Sequence, residues 1–290
     1  MERREFLAKS CVASLASVAV GGVASGQRRP NETDAAYRTR MALERATAAA
    51  SARARMAGPV RDTFELRKYE IETAEQKAGF DSFAREAAIP ALNRLGIKPV
   101  GVFYPIEGLS PIYVLLVHRS VQSFATLTHR LSEDQEFLDK GSAFLNAPAE
   151  SPAYKSMEVS LHLAFEGMPT LERPVEAPGR IFQLRIYESP SVSAGQKKIQ
   201  MFNEGEIAVF SKTGLHPVFF GETLAGTKMP NLTYMLGFKD MAESKANWKK
   251  FGADPDWRRL RSMPEYADRA IIRKGGITNL YLKPADYSQI

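Results

Sequence analysis

Phe64-Glu65-Leu66-Arg67-Lys68-Tyr69-Glu70 returns 118 residues later as Phe182-Gln183-Leu184-Arg185-Ile186-Tyr187-Glu188. Gly96-Ile97-Lys98-Pro99-Val100 falls on Gly214-Leu215-His216-Pro217-Val218 at the same offset, so the match outlives one heptapeptide and a single structural unit is used twice. Both heptapeptides alternate as strands with two unlike faces do. Phe64 and Leu66 share one side, with Arg67 and Tyr69 on the other. In the second copy Phe182, Leu184 and Ile186 oppose Gln183, Arg185 and Tyr187.

The same order of periodicities follows each strand. Over residues 73–95, Phe80, Phe83, Ala87, Ala91 and Leu95 recur every three or four positions, which predicts an amphipathic helix closed by Gly96 and kinked at Pro90. Its counterpart over 193–213 carries Ile199, Phe202 and Phe210 and closes at Gly214. Strands are predicted at 97–104 and 215–221, then at 112–118 and 232–238, where the offset has grown to 120. A second helix carries Phe124, Leu127 and Leu131 in one copy and Trp248 and Phe251 in the other, before final strands at 158–165 and 277–282. Each unit, 62–170 and 179–290, thus reads β-α-β-β-α-β, the α+β arrangement of a ferredoxin-like domain. Helices cover only one face of such a sheet. Two copies in one chain can cover the other by packing sheet against sheet into a barrel, a pseudo-dimer within one polypeptide.

Arg3-Arg4-Glu5-Phe6-Leu7 is a twin-arginine pattern, followed from Cys11 to Ala24 by an uncharged stretch of small and apolar residues. Ala24-Ser25-Gly26 offers a small-residue cleavage site, so residues 1–26 read as an export signal and the mature protein as periplasmic or extracellular. The stretch is shorter than the roughly 20 apolar residues of a comfortable membrane span, and no stable anchor is expected after cleavage. Cys11 is the only cysteine, so the mature chain can form neither a disulfide nor a thiolate metal site. Residues 27–61 form an Ala- and Arg-rich linker whose middle favours helix but lacks a wide apolar stripe.

The net charge of +6 sits almost wholly in that N-terminal region: residues 1–26 contribute +1 and residues 27–61 contribute +5. The repeat region is therefore neutral. It lacks the clustered basic face that phosphate binding requires, which argues against nucleic acid as a partner. Neither a Walker pattern nor Gly-x-Ser-x-Gly occurs.

From Phe64 to Leu282 the sequence resembles a NIPSNAP family protein with two tandem domains. The likeness is carried by Phe64-Glu65-Leu66-Arg67-Lys68-Tyr69 and Phe182-Gln183-Leu184-Arg185-Ile186-Tyr187, by Leu95-Gly96-Ile97 and Thr213-Gly214-Leu215, and by Ala253-Asp254-Pro255-Asp256-Trp257-Arg258-Arg259-Leu260. The first copy departs at the last of these, reading Glu133-Asp134-Gln135-Glu136-Phe137-Leu138. The resemblance implies a dimeric α/β-barrel fold. That class includes cofactor-independent monooxygenases, haem-handling enzymes and proteins without a clear reaction, so it selects no chemistry and no cofactor.

Arg67, Tyr69, Arg185 and Tyr187 are the site candidates the repeat offers. If Phe64 and Leu66 face the helices, these four point into the barrel. A buried arginine there meets either a ligand carboxylate or an internal partner such as Glu65, and the second makes the motif structural. Of the four histidines, His118, His162 and His216 fall on predicted strands and His129 on a helix, with no local metal-ligand spacing. His118 and His216 are candidate proton carriers if they meet inside the barrel. Two functions of different class follow: a barrel that holds a small molecule, or a non-enzymatic interaction module, with a homo-oligomer open to either. Replacing Arg3 and Arg4 together with lysine is expected to block export. A processed, periplasmic protein from that variant contradicts the twin-arginine reading.

Overall fold

The computed structural model describes residues 28–56 and 60–290. Contacts divide the chain into one unit ending at Gly58 and another beginning at Pro59. In the first, Asp34–Met56 forms one helix, with Arg40 joined to Glu32 and, one turn on, to Glu44, each at 2.9 Å. The signal assigned to residues 1–26 lies outside the described residues. Among those described, no helix is long and apolar enough to cross a membrane.

The second unit is a mixed α/β fold around a closed antiparallel barrel of eight strands. These are β1 (Thr63–Glu70), β2 (Val100–Pro105), β3 (Ile112–His118), β4 (Ser156–Ala164), β5 (Ile181–Glu188), β6 (His216–Ala225), β7 (Asn231–Phe238) and β8 (Ile277–Pro284). Their order around the barrel is β1-β3-β2-β8-β5-β7-β6-β4. Each half therefore places its strands in the sequence fourth, first, third, second. Two seams join the halves. β2 meets β8 from Phe103↔Pro284 to Pro105↔Leu282, and β4 meets β6 from Leu161↔Ala225 to Ala164↔Gly221, with a bulge at Leu161/His162.

The helix after β1 runs Ala74–Phe83, passes through a π turn at Ala84–Ala88 and resumes over Ile89–Arg94. Its counterpart repeats the irregularity, with a π turn at Phe202–Glu206 between Val192–Met201 and Ile207–Thr213. No proline occupies that second segment, so Pro90 alone does not account for the break. Thr73 and Ser191 cap the two helices by accepting from the backbone N–H three residues on. Gly96 and Gly214 end them in left-handed conformation, at φ 78° and 79°. Ile97 N–H returns to Leu92 C=O and Leu215 N–H to Phe210 C=O, which is the Schellman arrangement in both copies.

Side-chain packing reverses one expectation. Phe64, Leu66, Phe182 and Leu184 point into the barrel, where they join Phe103, Leu115, Phe219, Met235 and Leu282 in a core drawn from both halves. Tyr69 packs outward with Phe80, Ile97 and Val102 beneath the first-half helices, and Tyr187 with Phe202, Phe210 and Tyr234 beneath the second. An eight-stranded barrel is just wide enough to be filled by side chains or to hold one small ligand, and phenylalanine and leucine fill most of this one without a polar atom to satisfy. Tyrosine and arginine go instead to the helix–sheet layer, where phenol and guanidinium find partners.

Residues 62–170 expressed alone bare the inner face of β1, β2 and β3. This fragment is expected to dimerise or aggregate, as sedimentation reads directly. A stable monomer contradicts a core shared between the halves.

Candidate functional site

In the first helix–sheet layer Arg67 Nε lies 2.5 Å from Glu65 Oε1, and His118 Nε2 lies 2.9 Å from Glu65 Oε2. The ring's Nδ1 meets Ser123 Oγ at 3.0 Å. Burial of Glu65 favours its neutral form, but the hydrogen bonds from His118 and Arg67, with the charge on Arg67, hold its carboxyl below the usual range. Arg67, Tyr69 and His118 thus share one layer, and Arg67 has an internal carboxylate.

The second layer is built differently. Gln183 replaces Glu65, and Arg185 donates to Tyr187 Oη at 2.9 Å and lies 4.8 Å from the Trp248 ring. Tyr187 Oη contacts Tyr234 Oη at 2.8 Å, while Trp248 Nε1 donates to Gln183 Oε1 at 2.6 Å. Lys198 and Glu206 form a buried ion pair at 2.8 Å in the same layer. His216 stands half-buried at the start of β6, opposite Gly237, apart from both networks. The six sequence candidates therefore form no single site, and His118 and His216 do not meet.

The space that does join the halves is the mouth of the barrel. The aromatic interior stops short there, leaving a cavity of about 180 Å³ lined from both copies by Leu66, Lys68, Tyr113, Ser160, Ile186 and Thr233, among others. This is on the order of the roughly 150 Å³ that accepts a benzene-sized guest. The β4–β6 ladder ends at Leu161↔Ala225, so Ser156–Ser160 has no partner strand on that side and the cavity opens beside it. His162 faces inward by plain alternation along β4, opposite Phe64, and the bulge, whose extra residue is Leu224 of β6, sets Thr223 beside it. Gly221 makes room for it, since a Cβ there would lie 2.7 Å from His162 Cβ.

His162 is buried among hydroxyls, 2.8 Å from Ser160 Oγ and 2.9 Å from Thr223 Oγ1. Burial pushes its pKa down to about 3, so the ring is neutral at physiological pH. Tyr113 is 6% exposed and Thr233 is 1% exposed. Both line the cavity, and neither hydroxyl is among the buried polar atoms left without a partner, so with no protein partner among the described residues each stays open to the cavity. Burial raises the Tyr113 phenol to about 12, which keeps its proton in place. At the rim Lys68 reaches Glu70 at 2.7 Å and Glu158 at 3.2 Å. Among the described residues no cluster of three His, Cys, Asp or Glu could hold a metal ion.

Sequence reading missed Ser160, Thr223 and Tyr113. The available signal was Glu158-x-Ser160-x-His162, three polar residues on one side of a strand.

Residues 182–289 match the NIPSNAP family model. No protein of curated function matches the chain. Among solved structures, a candidate monooxygenase from Fusobacterium nucleatum is 7% identical, with 78% of this chain and 93% of that one covered at a TM-score of 0.51. Another from Lactobacillus acidophilus is 9% identical, covering 77% and 94% at 0.50. A NIPSNAP family protein from Agrobacterium tumefaciens is 20% identical over 38% of this chain and 98% of its own, at 0.34. At these identities the first two show a shared fold, that of the dimeric α/β barrels.

Arg67→Met leaves the buried Glu65 with His118 as its one remaining partner and is expected to cost about 3 kcal/mol, the low end for a broken buried pair. A carboxyl held low in the folded state stabilises above its unfolded pKa and loses that contribution as pH falls through the folded value, so the variant, with His118 still bonded to Glu65, should also lose part of its pH-dependent stabilisation. Arg185→Met breaks no carboxylate pair and should lower the melting midpoint less. Equal midpoints for the two variants in thermal melts contradict this difference.

Proposed function

We propose that this chain is an exported, tandem NIPSNAP-type protein that binds a small molecule at the mouth of its barrel. The observation that carries the reading is the pair of hydroxyls on Tyr113 and Thr233, which lack a protein partner among the described residues and stand on side chains more than nine-tenths buried, bordering a cavity that accepts a benzene-sized group. A hydroxyl without a protein partner on an open polar wall takes its hydrogen bond from a ligand or from ordered water. Two ferredoxin-like units in one chain are supported by the repeated strand order and by matched glycine caps. Export is supported by Arg3-Arg4 and the small-residue stretch that follows. The interaction-module reading draws support from the other end of the barrel, which phenylalanines fill.

Native mass spectrometry of the protein purified from its own host is expected to show a noncovalent small molecule. Tyr113→Phe should weaken its retention about tenfold, the worth of one hydrogen bond of about 1.4 kcal/mol. A wild-type protein carrying no bound mass, or retention indifferent to Tyr113→Phe, contradicts the proposal.

A further inference from the structure

We propose that the barrel mouth selects a small uncharged ligand that both donates and accepts a hydrogen bond, as an amide or hydroxylated compound does, over a carboxylic acid. This rests on the binding reading above and adds the ligand's chemical class.

The argument starts at Asn231, whose Nδ2 lies 2.9 Å from Thr227 C=O and 3.2 Å from Lys228 C=O. Carbonyls only accept, so the amide is fixed with its nitrogen toward them and Oδ1 toward Thr223. Oδ1 likewise only accepts, and the single Thr223 proton goes to it across 2.5 Å. Thr223 Oγ1 is then left to accept from His162 Nδ1, which places the imidazole proton on Nδ1. A neutral ring has one such proton, so Nε2 is bare and takes the proton of Ser160, 2.8 Å away.

Ser160 therefore meets the cavity with lone pairs only. Tyr113 meets it with an O–H that has no protein partner among the described residues, and Thr233 does the same. A ligand in this mouth finds a fixed acceptor on β4 and free donors on β3 and β7. The rim adds no spare positive charge. Lys68 is shared between Glu70 and Glu158, and Lys228 lies 3.6 Å from Glu188, which also holds Arg273 at 3.2 Å. A carboxylate near Ser160 would leave water to face another oxygen's lone pairs, which is costly for a charged acceptor. The Ser160–His162 pair has the spacing of a nucleophile and its base. Among the described residues, however, no carboxylate touches His162 to stabilise an imidazolium, so the serine keeps its proton.

The test titrates the purified protein at pH 7 with benzamide, methyl benzoate and benzoate, which share a ring and differ at the polar end. Benzamide is expected to bind at least tenfold more tightly than either of the others, and Ser160→Ala to erase its advantage over the ester. Tighter binding of benzoate, or a benzamide preference that survives Ser160→Ala, overturns the proposal. Equal binding of all three, weakened by Tyr113→Phe, overturns the ligand class and leaves the binding reading intact. Absence of binding by all three overturns both. Nitrogen-15 NMR of the wild type gives a readout independent of any variant's folding. The His162 ring should carry its proton on Nδ1, and a proton on Nε2 refutes the relay.

Discussion

Phe64 packs on Phe219 with ring centroids 4.8 Å apart, and Phe103 on Phe182 at 4.9 Å. Each pair takes one ring from either half of the chain. Pairs of this kind add roughly 0.5–1.5 kcal/mol beyond the apolar area they bury, but their larger effect is topological. They turn two sheets, each with a bare face, into one closed interior with no separate inner surface to offer water. The seams follow from that closure, since β2 and β8, and β4 and β6, share only short ladders.

Closure also fixes where a ligand can go. Phenylalanines fill one end of the barrel, so the free volume lies at the other, beside the stretch of β4 that β6 does not reach. The alternation of β4 and the missing side chain of Gly221 let an imidazole into that wall, and the bulge in β6 sets Thr223 beside it. Thr223 and Asn231, brought from the second half, fix its proton. The polarity of the mouth therefore comes from residues that meet only because the halves have joined.

Much of this fold was legible because its signals are local. The strand alternation and the glycine caps survive as read, while the second helix read in the first copy is three short ones, Val121–Ala125, Leu127–Ser132 and Gln135–Leu145. The direction of β1 and β5 was not legible, since a period of two separates faces without saying which lies inside, and here both faces are covered. Glu65 and Phe64 are 2% and 0% exposed on opposite sides of one strand. The π turns left no mark in the pattern, and proline marks only one of them. The candidate site was poorly legible for a related reason. The candidates Arg67 and Arg185 belong to the repeated motif, and repetition itself suits a structural role, whereas the cavity is lined where the copies differ: Lys68 faces it in one half and Ile186 at the equivalent position in the other. Ser160, His162, Thr223 and Asn231 are linked across a seam, and no short spacing encodes that link.

A crystal structure of the protein isolated from its own host tests the central claim most directly. The account predicts Phe64 against Phe219 in a filled interior, and beyond it ordered density within hydrogen-bonding distance of Tyr113 Oη and Ser160 Oγ. A mouth closed by the protein's own side chains, with the Tyr113 hydroxyl bonded to one of them, would contradict it.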